Sequence, residues 1–388
     1  MIAAVTGTKG KTTVVRIVSH CLEKAGLDYS SICTIGLYKN GKRISKRGEL
    51  RWYHRFFDMD SDFTCFEATS HLLGRRTQLE IPRNSADVVV LTGIERGEHE
   101  EQHELFSGYL DAKKNIFDVK KSAGTAFVCR DTKEFESLVD GVEGFSTYGF
   151  DPSSDYVIEL LNQEDNLSEI MISGRDLNVR LDSRLIGSFN HQNITAAYLI
   201  LREMGLNRDQ IISGIKSFSG APGRFERFTL ENDHRSMTVI IDYAHTPASF
   251  RATLELAKEI YPESSLCTVF GCGGDRTAMK RPLMGREASE QSDVVIITDD
   301  NPRFESPEKI IDNIMIGVVK PCQVIRDREE AIAAAVDSGC DIILLAGKGS
   351  EETYNAGNKI YSNRSDRTLL TKVCNDKKIK ISPFFDDI

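Results

Sequence analysis

The segment Gly7-Thr8-Lys9-Gly10-Lys11-Thr12-Thr13 stands between an apolar run, Ile2–Thr6, and an amphipathic stretch that begins at Lys11. Glycines there let the backbone turn so that several N–H groups face one anion, and a helix N-terminus adds positive partial charge. In such a cradle Lys11 neutralises β- and γ-phosphate oxygens, and Thr12 holds Mg²⁺ through its hydroxyl. The general phosphate-loop spacing asks for a first glycine where Val5 stands. Glu67 ends a second apolar run, Phe63-Thr-Cys-Phe. An acidic residue at the carboxyl end of a parallel strand faces the ligand crevice and offers Mg²⁺ a hard oxygen. A third segment, Gly271-Cys-Gly-Gly-Asp275-Arg276, is followed by Lys280-Arg281-Pro282. It pairs close backbone approach with positive charge. The chemistry these segments suggest is ATP-dependent, with Mg²⁺.

The elements that must position these residues follow a strand–helix alternation. Strands are predicted at Ile2–Thr6, Ser31–Ile35, Phe63–Glu67 and Val88–Leu91. A helix over Lys11–Ala25 carries Val15, Val18, Cys21, Leu22 and Ala25 on one side. The β-branched run Val88–Leu91 is typical of a strand buried on both faces. Helices are predicted at Ile194–Met204 and Arg208–Ser217. The Gly- and Pro-rich stretch Ser219–Arg224 reads as a boundary. Beyond it the alternation resumes, with strands at Thr238–Asp242, Cys267–Phe270, Val294–Thr298 and Asp341–Leu345 and a helix at Ala248–Ile260. The expected fold is α/β: a phosphate-loop, doubly wound, mostly parallel sheet domain over residues 1–221, then a smaller Rossmann-like α/β domain over 222–388. Residues 40–62, with Trp52, read as a loop or short hairpin on the substrate side of the first domain.

With 388 residues, 40% hydrophobic and 28% charged, the chain can bury large cores without staples. A formal net charge of −9 argues against nucleic-acid or anionic-membrane binding. The nine cysteines form no C-x-x-C pair, which argues against a zinc ribbon. No signal peptide is recognised, and no run of about 18 apolar residues exists to span a membrane. The expected location is the cytosol, with reduced thiols.

Taken together the motifs resemble those of the Mur ligase superfamily, in family order from residue 5 to about 367. Gly7–Thr12 is similar to its phosphate loop, and Glu67-Ala-Thr-Ser-His71 to its Glu-x-Ser-Ser-His. The segment Leu91–His103 resembles a loop in which His99 would be the ligand of a second Mg²⁺; it departs from the pattern at Gly93, Gly97, Glu98 and Glu104. In Asp-Ala-Lys113-Lys-Asn-Ile-Phe117 the resemblance implies that Lys113 is carbamylated by CO₂, giving an anion able to hold that metal. Gly187-Ser-Phe-Asn190-His-Gln-Asn193 implies that Asn193 contacts adenine, though either Asn is also a candidate helix cap. Gly223-Arg224-Phe-Glu226 and Asp242-Tyr-Ala-His245-Thr-Pro247 imply that Arg224 meets phosphate or ribose, Asp242 the ribose, and His245 or Tyr243 the nucleotide's flank. Asp275 and Arg276 fall in the family's G-C-G-G-D-R motif.

Asp299-Asp300-Asn301-Pro302-Arg303 is typical of the UDP-N-acetylmuramoyl-tripeptide synthetases that add meso-diaminopimelate. There Arg303 would pair with a distal carboxylate. Ala346-Gly347-Lys348-Gly349-Ser350-Glu351 resembles A-G-K-G-H-E, with Ser350 in place of His, and Glu351 would bind the distal ammonium. The implied function is an ATP-dependent acid–amino-acid ligase acting through an acyl phosphate, with an amino acid and a small-molecule carboxylate as substrates. The family's N-terminal UDP-binding domain has no counterpart before the phosphate loop, and Arg47–Trp52 stands where the family has a Thr-Thr-Pro loop. The expected donor is therefore not the standard UDP-muramoyl peptide: either it is a smaller carboxylate or a separate donor-binding protein supplies the missing part. The alternatives are a degenerate ATP-binding partner or switch, and a small-molecule phosphotransferase.

Overall fold

The fold is that of a computed structural model, which describes residues 1–45, 53, 56–74, 81–95, 106–164, 166–232 and 235–384. Two compact units result, Met1–Gly220 and Ala221–Ile388.

The first unit is built on strands β1 (Ile2–Thr6), β2 (Tyr29–Cys33), β3 (Gly36–Lys39), β4 (Lys42–Ser45), β5 (Phe63–Glu67), β6 (Ala86–Leu91), β7 (Lys120–Cys129), β8 (Ser146–Gly149), β9 (Tyr156–Glu164), β10 (Leu167–Gly174) and β11 (Leu177–Ser183). They form one sheet in the order β11-β10-β9-β8-β7-β6-β1-β5-β2-β3-β4. From β2 to β9 the neighbours are parallel; both edges are antiparallel hairpins. The chain winds one way through β2 and the other way from β6, so the reversal falls at β1, where such sheets bind ligands at their carboxyl ends. The central parallel strands β1, β5 and β6 are almost wholly buried because helices cover them: Val14, Val15, Val18 and Leu22 of the helix Lys11–Lys24 are fully buried. A core cluster including Ala4, Ile32, Phe66, Val89, Leu91, Tyr109 and Val128 lies around these strands.

Two expectations shift here. The strand predicted at Ser31–Ile35 lies at Tyr29–Cys33, because the turn at Thr34-Ile35 precedes a hairpin. Part of the 40–62 region is that hairpin's β4, closing on Asn40-Gly41 with both residues at positive φ. Trp52 lies outside the described residues.

The second unit holds β12 (Glu226–Glu231), β13 (Ser236–Asp242), β14 (Leu266–Phe270), β15 (Val294–Ile297), β16 (Gln323–Val324), β17 (Ile342–Ala346) and β20 (Lys380–Pro383) in one sheet, ordered β16-β15-β14-β17-β13-β12-β20. β13, β17, β14, β15 and β16 run parallel; β12 and β20 add an antiparallel edge. A small hairpin, β18 (Tyr354–Ala356) with β19 (Lys359–Tyr361), stands apart. Helix starts follow local rules. Pro247 and Pro307 open helices behind the caps Thr246 and Ser306, and Asp327 caps Arg328–Asp337. The core groups Val239, Ile241, Val269, Ile296, Ile343 and Leu345 with the helices Arg328–Asp337 and Asp366–Lys377. Among the described residues no helix is long and apolar enough to cross a membrane.

Candidate active site

In the first unit, Val5 pairs with Glu67 and Thr6 with Leu91 across parallel strands. This register brings three sequence-distant segments level at one sheet edge: the phosphate loop, Glu67–His71 and Thr92–Glu95. The loop is pinned from the side. Thr8 N donates to Gly93 O at 2.8 Å, and the Thr92 hydroxyl donates to Thr6 O at 3.1 Å and Lys9 O at 2.5 Å. Gly7 (φ +144°) and Gly10 (φ +82°) are required here. A Cβ on Gly7 would lie 2.1 Å from Thr92 Oγ1, and one on Gly10 would lie 2.2 Å from Asn193 Oδ1. Lys11 Nζ donates to Gly7 O and Thr8 O, each at 2.9 Å, which holds the ammonium over its own loop. Thr12 and Thr13 are buried in the first helical turn.

Glu67 is almost wholly buried. Its Oε2 accepts from Thr34 Oγ1 at 2.9 Å, and its Oε1 is buried with no hydrogen-bond partner among the described residues. An orphaned carboxylate oxygen is costly, and a hard cation satisfies it. The Glu67 oxygen and the Thr12 hydroxyl therefore fit Mg²⁺ in chemical type. Among the described residues no group of three or more His, Cys, Asp or Glu side chains gathers to hold a metal. The second-metal candidate His99 lies outside the described residues. Lys113 ends the helix Phe106–Lys114, is 2% exposed, and donates from Nζ to Thr6 Oγ1 at 3.1 Å. Thr6 Oγ1 donates in turn to Ala68 O at 2.7 Å, so the Lys113 amine sits where β1 and β5 end. Lys11, Thr12, Glu67 and Lys113 thus occupy one neighbourhood.

Asn193 and Asn190 lie on the helix Ser188–Glu203, whose N-cap is Gly187, so neither takes the capping role. Asn190 Nδ2 donates to Ile186 O at 2.8 Å, and Asn193 packs its amide oxygen against Gly10. Between them His191 is buried with both ring nitrogens unpartnered, edge-to-face with Phe150. Burial lowers its pKa from the ordinary 6.5 to about 4. Sequence reasoning missed Thr34, Thr92 and Tyr109. Thr92 stood inside the quoted Leu91–His103 segment, but nothing local marked it as a clamp. Tyr109 OH meets Thr8 Oγ1 at 3.0 Å across 101 residues, a contact no motif signals.

In the second unit the predicted residues follow the carboxyl ends of one sheet: Asp242 on β13, Asp275 and Arg276 after β14, Asp300 to Arg303 after β15, Gly347 and Glu351 after β17. Asp242 accepts from Phe225 N at 2.6 Å and Ala244 N at 2.8 Å, tying the Gly223–Phe225 turn to the strand. Burial raises its pKa, opposed by the Arg224 charge and these N–H bonds. The Arg224 guanidinium lies 4.5 Å from the Tyr243 ring centre. His245 Nδ1 bonds Tyr243 O at 2.9 Å, and burial, with Lys280 nearby, lowers its pKa to about 3.

Asn301 is the hub of the amine-side loops. Its Nδ2 donates to Asp300 Oδ1 at 2.9 Å and Glu351 Oε2 at 2.8 Å, and its Oδ1 accepts from Asn355 N at 2.9 Å. Arg303 (φ +53°) is held by Asn355 O and donates from Nη1 to Gly274 O at 2.7 Å. Asp275 (φ +52°) accepts from Phe304 N at 3.2 Å. Such strained backbone at two motif loops is what ligand-binding loops commonly store. Gly347 (φ +97°) approaches Gly271 O, and Arg276 stands exposed. Of the cations in this motif, Arg281 serves structure: it is fully buried in a two-pronged pair with Glu305, both contacts at 2.7 Å.

Residues 5–201 match the family described as Mur ligase middle domain, and residues 223–349 match the Mur ligase, glutamate ligase domain. The chain is 31% identical over 364 residues to a UDP-N-acetylmuramoyl-L-alanyl-D-glutamate–2,6-diaminopimelate ligase of Thermosynechococcus vestitus, covering 90% of this chain and 71% of that protein. It is 33% identical over 365 residues to the ligase of the same name from Nostoc sp., covering 90% and 72%. A solved structure bearing that name superposes with a TM-score of 0.61 at 26% identity, covering 97% of this chain and 78% of that one. On these matches, and on the two α/β units just described, the chain belongs to the Mur ligase family of ATP-dependent acid–amino-acid ligases.

Proposed function

We propose that this chain joins the amino group of an amino acid to a carboxylate, spending ATP and passing through an acyl phosphate. The observation that carries the reading is the gathering of Lys11, Thr12, Glu67 and Lys113 at the carboxyl end of β1. The donor carboxylate attacks the γ-phosphorus, ADP departs, and the amine then displaces phosphate from the acyl carbon with loss of a proton. Loop N–H groups and Lys11 bind and balance the polyphosphate charge. Thr12 and Glu67 would hold Mg²⁺, which would supply further charge neutralisation on the transferring phosphoryl group. In this reading a carbamylated Lys113, with His99, serves a second Mg²⁺. Asn193 meets the adenine, and Arg224, Asp242 and His245 the rest of the nucleotide.

For the amine we propose a diaminopimelate-like amino acid. Arg303 would take a carboxylate, Glu351 an ammonium, and Asp300, Asn301 and Gly347 would fix the loop around them, with Asp275 and Arg276 beside it. The two relatives quoted are named for 2,6-diaminopimelate. For the donor we propose a carboxylate other than the UDP-muramoyl peptide, since Arg47–Trp52, outside the described residues, stands where the family has a Thr-Thr-Pro loop. The test is release of ADP and phosphate by the chain with Mg²⁺ and bicarbonate, dependent on both an acid and an amino acid, with the amide identified by mass. Turnover by the chain unaided would make a separate donor-binding protein unnecessary. Tight ATP binding without any product from a broad panel would sink the ligase reading and leave the ATP-binding partner.

A further inference from the structure

The phosphate loop carries a second lysine. Lys9 lies between Thr8 and Gly10, and its ammonium forms an ion pair with Glu95, from the segment after β6. Both backbones are pinned: Lys9 O accepts from Thr92 Oγ1 at 2.5 Å, and Glu95 N donates to Thr8 Oγ1 at 3.0 Å. The side chains are not locked in the same way. The side chains are 33% and 42% exposed, so water reaches the pair and partly screens it, although the Glu95 Oε2 that faces Lys9 is itself buried. A lysine has a flexible four-carbon stem that can redirect its charge without moving the loop.

We propose that Lys9 is a second phosphate-binding lysine, parked on Glu95 and exchanged onto the terminal phosphate when a triphosphate enters the loop. The inference rests on the nucleotide reading above and deepens it. A polyphosphate brought beside Glu95 repels that carboxylate and attracts the ammonium, so one event both loosens the old pair and forms the new one. Glu95 is then a positioning residue that keeps the lysine aimed near the loop, and Lys9 touches the group being transferred. The exchange discriminates a triphosphate from a diphosphate, because only the former reaches the extra charge.

The test uses the full chain with Lys9→Met, Glu95→Gln, the double variant and Lys9→Arg, titrated with ATP and ADP in Mg²⁺ by calorimetry. Lys9→Met is expected to weaken ATP about tenfold and ADP less than about threefold, the loss of one charge-assisted contact. Glu95→Gln should leave ATP binding unchanged or tighter, the double variant should match Lys9→Met, and Lys9→Arg should retain the preference for ATP. Equal weakening of ATP and ADP in Lys9→Met overturns the proposal, as does a loss in Glu95→Gln as large as that in Lys9→Met. Either result makes the pair a strut for the loop. If the parent chain binds neither nucleotide, the nucleotide reading itself has failed. If the parent binds both and only the discrimination is missing, this proposal alone falls.

Discussion

Lys113 ends, buried, on the hydroxyl of Thr6, within reach of the segment that carries Glu67. Carbamylation of that amine by CO₂ forms an N–C bond and releases a proton, giving a carbamate anion. If that anion serves the metal, Lys113→Ala abolishes ligation, and added short-chain carboxylic acids restore part of it. Rescue that fails in a variant still folded and still binding ATP counts against the carbamate. Residue types alone pointed to Lys11, Thr12 and Glu67, because a glycine turn with lysine and threonine has few other uses. They did not point to Thr34 or Thr92, whose hydroxyls are ordinary until the fold sets Glu67 and Lys9 O beside them.

At the level of elements, β1, the phosphate loop and the helix Lys11–Lys24 act as one device. The loop stays open only because Gly10 adopts φ +82° against the Asn193 amide, which arrives on a helix almost two hundred positions later. Gly10→Ala therefore pushes a methyl into that amide at a backbone angle unfavourable to alanine. The expected result is at least about a tenfold loss of nucleotide affinity and about 1–3 kcal/mol of stability. Calorimetric titration and denaturant unfolding read the two effects, and wild-type affinity in Gly10→Ala would remove the close-approach argument. The parallel strands β1, β2, β5, β6, β13, β14, β15 and β17 were legible because most are short β-branched or apolar runs between turn signals; β7, with its polar first half, and the short β8 and β16 were not read. The strands β9, β10 and β11 at one end of the sheet were not read: they are joined by antiparallel ladders, and periodicity there is diluted by exposed stretches and polar residues such as Asn162, Gln163 and Asn178.

On the scale of the whole molecule, each unit has its own core and a histidine whose pKa burial lowers, His191 fully buried and His245 half-buried. The His191 pKa is lowered from the ordinary 6.5 to about 4, and that of His245 to about 3. Between those limits the unfolded chain takes up protons that the folded chain refuses. Stability is therefore full above about 6.5 and falls as pH drops, His191 accounting for up to about 3 kcal/mol of loss by its folded pKa near 4. Denaturant midpoints between pH 7 and 4 should fall, and His191→Phe should flatten part of that slope; an unchanged slope in the variant would contradict the assignment. The strand–helix alternation was enough for the α/β class and the glycine turn for a phosphate cradle, while the ligase chemistry came from the resemblance of the motifs, in their order, to the Mur ligase family. Which residues meet was another matter. Arg281 became a buried tie to Glu305, Asn301 became the hub joining Asp300, Glu351 and Asn355, and Lys9 found Glu95. Those outcomes depend on strand register and loop closure across tens of residues, and contacts of that range leave no imprint on the spacing of any single segment.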